Sequence, residues 1–121
     1  MSRRTGLFWE GVAERYLRQR GLKPIARNVT CRWGELDLIM RDRDTLVIVE
    51  VRYRQSHARV TAIESIDRGK RLRLCRAAGD FVSRHRRFQG WPIRFDVVAL
   101  SGGPIGTGVN WRPAAFDCDG C

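Results

Sequence analysis

Acidic residues stand in this chain where an apolar strand ought to continue. Along Thr45-Leu46-Val47-Ile48-Val49-Glu50-Val51-Arg52, one face carries Leu46 and Ile48 and then Glu50 and Arg52. A carboxylate that follows a buried run is costly unless it is paired or bound to a metal. A second strand, Glu35-Leu36-Asp37-Leu38-Ile39-Met40, lies just upstream, and the polar turn Arg41-Asp42-Arg43-Asp44 makes the two a hairpin. If the turn pairs Met40 with Thr45, then Leu38 faces Val47, Asp37 faces Ile48 and Glu35 faces Glu50. Asp37 is then a diagonal neighbour of Glu50, at roughly 7–8 Å between backbones, near enough for both to share one cation. Glu35 opposite Glu50 would repel without such a cation. Oxygen ligands of this kind suit Mg²⁺ or Mn²⁺ rather than zinc. The plainer alternative is a structural ion pair, for which Arg27, Arg32, Arg52 and Arg54 are all available.

These residues must be positioned by a small scaffold. The chain has 121 residues, 43% hydrophobic and 30% charged, which suits one globular domain spanning 1–121 with loose tails expected at 1–5 and 117–121. Residues 7–20 read as an amphipathic helix through Phe8, Val12, Tyr16 and Leu17, stopped by Gly21 and Pro24. Residues 23–30 are a weaker strand, followed by the hairpin of 35–40 and 45–52. The run at 45–52 has the aliphatic character of a central strand buried on both faces. A polar loop is expected over 53–64. Ser65 is then placed to cap a helix from about Ile66 to Arg84, with Leu74, Cys75, Ala78, Phe81 and Val82 as its core stripe. Residues 94–100 form another strand, and a Gly/Pro-rich turn at 102–108 leads to a short last strand near Val109–Trp111. The order is αβββαββ, an α/β domain with a mixed sheet and a helical crossover.

Charge narrows the partners. The formal net charge is +10, and only Lys23 and Lys70 of the basic residues are lysines. From Arg68 to Arg87 there are eight basic residues against the single acid Asp80. Solvated helix faces usually mix signs, so this helix is expected to meet phosphates through Arg68, Lys70, Arg73 and Arg76, with Arg54 nearby. Adsorption to a membrane is disfavoured because the opposite stripe is needed for the core. Trp33 and Tyr53 flank the acidic residues and are candidates to stack on bases, whereas Trp91 and Trp111 are expected to pack. His57 and His85 lack a partner at ligand or triad spacing.

Ser2-Arg3-Arg4 resembles the start of a twin-arginine signal, but Glu10, Glu14 and Arg15 arrive where an apolar stretch should be. The expectation is a cytoplasmic protein with no membrane span. Cys31, Cys75, Cys118 and Cys121 do not make a disulfide framework in a reducing compartment, and Cys118 and Cys121 are expected to be free thiols on a loose tail.

The strings Gly34-Glu35-Leu36-Asp37-Leu38-Ile39 and Val49-Glu50-Val51-Arg52-Tyr53-Arg54 resemble the YraN family of small bacterial proteins. That family is similar to archaeal Holliday-junction resolvases of the PD-(D/E)XK nuclease superfamily. The likeness continues at Trp9-Glu10, Ala13, Tyr16-Leu17, Arg27-Asn28, Ser65, Lys70, Arg94-Phe95-Asp96-Val97-Val98, Trp111 and Ala115-Phe116. It implies a restriction-endonuclease-like domain, a central mixed sheet flanked by helices. It implies that Asp37 and Glu50 hold Mg²⁺ or Mn²⁺ with the Val51 carbonyl, that Glu10 approaches from the first helix, and that Glu14 is the weaker choice there. Arg52 stands where the superfamily has its lysine. An arginine stabilises developing charge but cannot give up a proton; Lys70 is the candidate substitute, against the plainer reading of a phosphate contact or a solvated charge.

The expectation is therefore a Mg²⁺-dependent endonuclease-like protein hydrolysing phosphodiesters in DNA ahead of RNA, on branched or junction substrates, without a small-molecule cofactor. Its rival is a catalytically weak nucleic-acid-binding protein that retains the fold. Symmetric cutting of a junction would also require a homodimer, with the last strand near Trp111 and the Phe116 tail as candidate interfaces, or else packed on their own domain.

Overall fold

A computed structural model of the chain describes residues 3–55, 65–103 and 106–118. Its elements are α1 (Arg3–Gln19), β1 (Lys23–Cys31), β2 (Gly34–Asp42), β3 (Thr45–Gln55), α2 (Arg68–Arg84), a 3₁₀ turn at Arg86–Phe88, β4 (Ile93–Gly103) and β5 (Gly106–Phe116). The strands form one five-stranded sheet in the order β1-β2-β3-β4-β5. Only β3 and β4 run parallel, because the α2 crossover separates them; the other neighbours are antiparallel. This is the expected mixed α/β domain in the order αβββαββ, consistent with a restriction-endonuclease-like fold.

The aliphatic run of β3 explains its central place. Leu46 and Ile48 face α2, packing with Leu74, Ala77, Ala78 and Phe81. Val47, Val49 and Val51 face α1, packing with Ala13 and Leu17. The period of two then puts Glu50 on the α2 side, in the row of Leu46 and Ile48.

Several expectations are corrected. The hairpin closes two residues tighter than expected, with Asp42 opposite Thr45, Met40 opposite Val47 and Leu38 opposite Val49. Arg43 adopts a φ of 56°, so Arg43-Asp44 alone make the turn, supported by Arg41 Nε donating to the Arg43 carbonyl at 2.7 Å. Glu35 is therefore not opposite Glu50; it pairs with Thr30 on β1. Phe8 is not a core residue of α1 but 62% exposed, since the buried positions are Glu10, Ala13 and Leu17. The cap of α2 is Asp67, whose Oδ1 accepts from the Lys70 amide at 2.8 Å; Ser65 lies two residues too early. β3 continues through Gln55 rather than ending at 52, paired with β4 as far as Gly102.

The last strand is also longer than Val109–Trp111, because a buried carboxylate holds its irregular end. The β4–β5 register shifts between Phe95 and Val97. There the fully buried Asp96 accepts from Arg94 Nε at 2.9 Å, Arg94 Nη2 at 3.1 Å, Trp111 Nε1 at 2.9 Å and the Ala114 amide at 3.0 Å. Phe116 stacks on Phe95 at 5.0 Å, so this tail packs on its own domain. Cys118 is not a free thiol either: it forms a disulfide with Cys75 on α2. The remainder of the expected loop (56–64, including His57), turn residues 104–105 and Cys121 lie outside the described residues.

Candidate functional site

An interruption of the β1–β2 ladder creates the site. The β1–β2 ladder pairs Arg27 with Leu38 and Val29 with Leu36, but the rung between them, Asn28 and Asp37, is not paired. Asn28 has a φ of 54°, a left-handed conformation that asparagine tolerates better than most residues. Across this rung the face alternation of β2 slips: Leu36 and Ile39 both join the α2-side core, while Leu38 and Met40 join the α1-side core. Asp37 thus sits where the strand changes phase, and can be reached from both sides of the sheet.

Two acidic groupings meet there. Carboxylate oxygens of Glu10, Glu35 and Asp37 all lie within 4.8 Å of one another. On the other flank Glu50 is within hydrogen-bonding reach of Asp37, a bond that requires one of the two carboxyls to keep its proton. Asp37 is fixed by the Val51 amide, which donates to its Oδ2 at 3.0 Å. Glu10 takes a hydrogen bond from the Asn28 side chain. Glu14 instead pairs with Arg27, so the first helix offers Glu10 to the site and spends Glu14 on β1.

Burial and crowding raise both buried carboxyls. Desolvation first, then the charge of Asp37, pushes Glu10 up to about 7. Desolvation, the hydrogen bond to Asp37 and the Asp37 charge push Glu50 up to about 8, against the opposing pull of Lys70 and Arg52. Lys70 Nζ lies 3.5 Å from Glu50 Oε2 and Arg52 Nη2 lies 3.8 Å from the same oxygen. Neither contact satisfies it as a hydrogen bond: Glu10 Oε1, Glu50 Oε2 and Arg52 Nε are buried without a partner among the described residues.

The structure thus brings together Glu10, Asp37, Glu50, Arg52 and Lys70. The expected stacking aromatics are already engaged by other groups. Tyr53 is stacked on Trp9 at 4.5 Å rather than standing free. Trp33, at the β1–β2 turn, lies under α2 between the guanidinium groups of Arg32 (4.5 Å) and Arg76 (4.8 Å). Arg68, Arg73 and Arg76 are exposed along α2, and Arg54 Nη1 turns back to the Tyr53 carbonyl at 3.1 Å. Spacing predicts Glu35 opposite Glu50, whereas the structure sets it beside Glu10 and Asp37; Asn28 has no role in that expectation. The part Asn28 plays depends on a left-handed backbone, which residue spacing does not encode.

No helix among the described residues is long and apolar enough to cross a membrane. Residues 9–100 match the model of a family described as "Uncharacterised protein family UPF0102". A UPF0102 protein of Stutzerimonas stutzeri is 43% identical over 116 residues, covering 96% of this chain and 97% of its own. One from Pseudomonas putida is 45% identical over 116 residues, covering 95% and 94%. One from Xylella fastidiosa is 44% identical over 119 residues, covering 98% and 97%. Matched along nearly its whole length by these relatives, the chain belongs to the UPF0102 family, the YraN proteins that its Gly34–Ile39 and Val49–Arg54 strings resemble.

Proposed function

We propose that this protein is a metal-dependent phosphodiester hydrolase acting on nucleic acid, DNA ahead of RNA. The observation that carries the reading is the convergence of Glu10, Glu35 and Asp37 within 4.8 Å, beside a buried Glu50. When ionised, these three carboxylates and the adjoining Glu50 repel one another, and Glu10 and Glu50 hold buried oxygens without a hydrogen-bond partner among the described residues. A divalent cation supplies what those oxygens lack, and an all-oxygen donor set suits Mg²⁺ or Mn²⁺. Asp37 and Glu50, with Glu10 and Glu35 from the other flank, are the residues that would hold it. Held there, such a cation would supply activation of a water and neutralisation of charge on a phosphoryl group.

The chain's own residues account for the rest. The Val51 amide fixes Asp37 and the Asn28 side chain orients Glu10. Arg52 and Lys70 put two positive charges beside Glu50, where charge growing on a phosphate can be stabilised. Only Lys70 of the two can exchange a proton, which gives it the role the superfamily's lysine has and Arg52 cannot fill. Arg54, Arg68, Arg73 and Arg76 are the phosphate contacts that hold the strand.

Incubation with labelled junction, duplex and single-stranded DNA, with and without Mg²⁺ or Mn²⁺, tests the reading. Cleavage that needs the cation and disappears in Asp37→Asn supports it. Binding without cleavage under every condition favours the second reading, a nucleic-acid-binding protein that keeps the fold without the reaction, for which Arg52 is the motivating residue. Paired cutting of a junction also requires a two-fold dimer, seen as a doubled mass by light scattering on the bound junction; a monomer there restricts the activity to single nicks.

A further inference from the structure

Phe8 begins a run of aromatic contacts at the margin of the α1-side core, against which Trp9 and Tyr53 pack while Phe8 does not. It is 62% exposed, and its ring meets Trp9 edge-on at a centroid distance of 5.0 Å. Trp9 in turn stacks on Tyr53 at 4.5 Å, the planes 18° apart. The stack fills the space above Gly102, where a Cβ would come within 3.4 Å of both Trp9 Cη2 and Tyr53 Oη. The Trp9–Tyr53 pair is therefore fixed from below, while Phe8 and the neighbouring Leu7, 38% exposed, remain open to solvent.

The position of this platform matters as much as its exposure. Trp9 directly precedes Glu10, and Tyr53 directly follows Arg52, so both rings are tied by backbone to the acidic centre. One exposed cation shares the α1 stripe of Phe8: Arg15 lies seven residues beyond it, whereas Arg52 and Arg54, the strand neighbours of Tyr53, belong to the α2 side of the sheet. Arg15 has no acidic partner among the described residues. An exposed apolar ring face with an arginine on the same helix stripe is complementary to a nucleobase carried on a phosphate backbone. Two exposed apolar side chains fall far short of the about 800 Å² per partner that a stable protein interface uses, which disfavours a second copy as the occupant.

We infer that Phe8, backed by the Trp9–Tyr53 stack, is a stacking platform for one unpaired nucleobase beside the acidic centre. A base inside a duplex is covered on both faces by its neighbours, so the occupant belongs to a single strand, a flap or the open point of a junction. The inference rests on the nucleic-acid reading above but not on catalysis, and names the kind of substrate that the site selects.

The test is binding in EDTA, where cleavage cannot intrude. Three fluorescently labelled probes of equal phosphate count are compared: oligothymidylate, the same backbone with abasic sugars, and a blunt hairpin duplex. The expected result is about tenfold tighter binding of oligothymidylate than of the abasic strand, the scale of one stacked base. Phe8→Ala should remove most of that preference while leaving the abasic and duplex affinities and their salt dependence unchanged. Trp9→Leu, checked by thermal melting for an intact fold, should do the same. Equal affinity for the abasic strand and oligothymidylate overturns the platform, as does a Phe8→Ala loss shared by all three probes. A Phe8→Ala variant that loses only self-association, with base preference intact, overturns it in favour of a second copy. Base preference retained in a protein that never cleaves sinks the hydrolase alone; cleavage without base preference sinks the platform alone.

Discussion

Lys70 Nζ stands closer to Glu50 Oε2 than Arg52 does, 3.5 Å against 3.8 Å, although Arg52 is the residue two places along the same strand. The lysine arrives from the first turn of α2, where the Asp67 cap fixes the Lys70 amide. If the hydrolase reading holds, Lys70→Ala should lower the cleavage rate by about 100-fold, the low end for loss of a proton-transfer group. Nucleic-acid affinity should change only by one phosphate contact. Arg52→Lys, which retains the charge, should cost much less. Rates unaltered by Lys70→Ala would return this side chain to a simple phosphate contact.

The two raised carboxyls make opposite predictions for the fold and for metal. Glu10 at about 7 and Glu50 at about 8 sit above the ordinary value of 4.5, so the folded protein binds more protons than the unfolded chain across that window. Stability is then fully supported below pH about 4.5 by these two groups, and that support is lost as the pH rises through 7 to 8. Cation binding needs both groups ionised, so Mn²⁺ affinity should climb over the same range. Thermal melts between pH 5 and pH 8.5 should show the metal-free protein weakening while the stabilisation given by Mn²⁺ grows. A Mn²⁺ effect that is flat with pH would contradict the placement of the ligands.

Exposed Arg73 and Arg76 give the binding face a salt signature. Each phosphate contact releases counterions, with a log–log slope near −0.9 per contact on duplex DNA. Arg73→Ala and Arg76→Ala should each flatten the measured slope by about one. Arg76 also covers the Trp33 ring, so its replacement should change Trp33 fluorescence, which Arg73→Ala should not. Unchanged slopes would move the nucleic-acid face off α2.

Asp96 is the stability-critical carboxylate away from the site. It is fully buried and receives four hydrogen bonds, two of them from Arg94, which also reaches Asp42 Oδ2 at 2.9 Å. Asp96→Ala leaves the Arg94 guanidinium, the Trp111 indole and the Ala114 amide short of an acceptor. The expected loss is about 3–5 kcal/mol, as for other broken buried pairs, read from urea unfolding. A loss below about 1 kcal/mol would show that β5 does not depend on this clip.

The Cys75–Cys118 pair closes a loop of 43 residues between α2 and the end of β5. Chain-entropy arguments assign such a loop about 4 kcal/mol, with about 2–4 kcal/mol typical of measured bridges. Under non-reducing conditions thiol labelling should spare Cys75 and Cys118, and reductant should expose both and lower the melting temperature. Full labelling of all cysteines without reductant would argue against the bridge.

Local pattern determined the elements and their order. The β-branched run of β3 and the helical stripe of α2 describe their own burial, because period two and period 3.6 are properties of neighbouring residues. The acidic strings of β2 and β3 likewise declared Asp37 and Glu50 as partners. Their actual relation was decided elsewhere: a turn two residues tighter, made possible by a left-handed Arg43, moved the register without changing the face. Glu35 entered the centre because Asn28 breaks the β1–β2 ladder and lets β2 change phase, an event between strands that no single strand encodes. Lys70, Trp9 and Tyr53 reached their places through helix packing across the sheet, and Cys75 met Cys118 only once β5 had been folded back past α2. Side chains far apart in sequence come together through the relative placement of whole elements, and that placement is fixed by the summed packing of the core rather than by any residue's own neighbours.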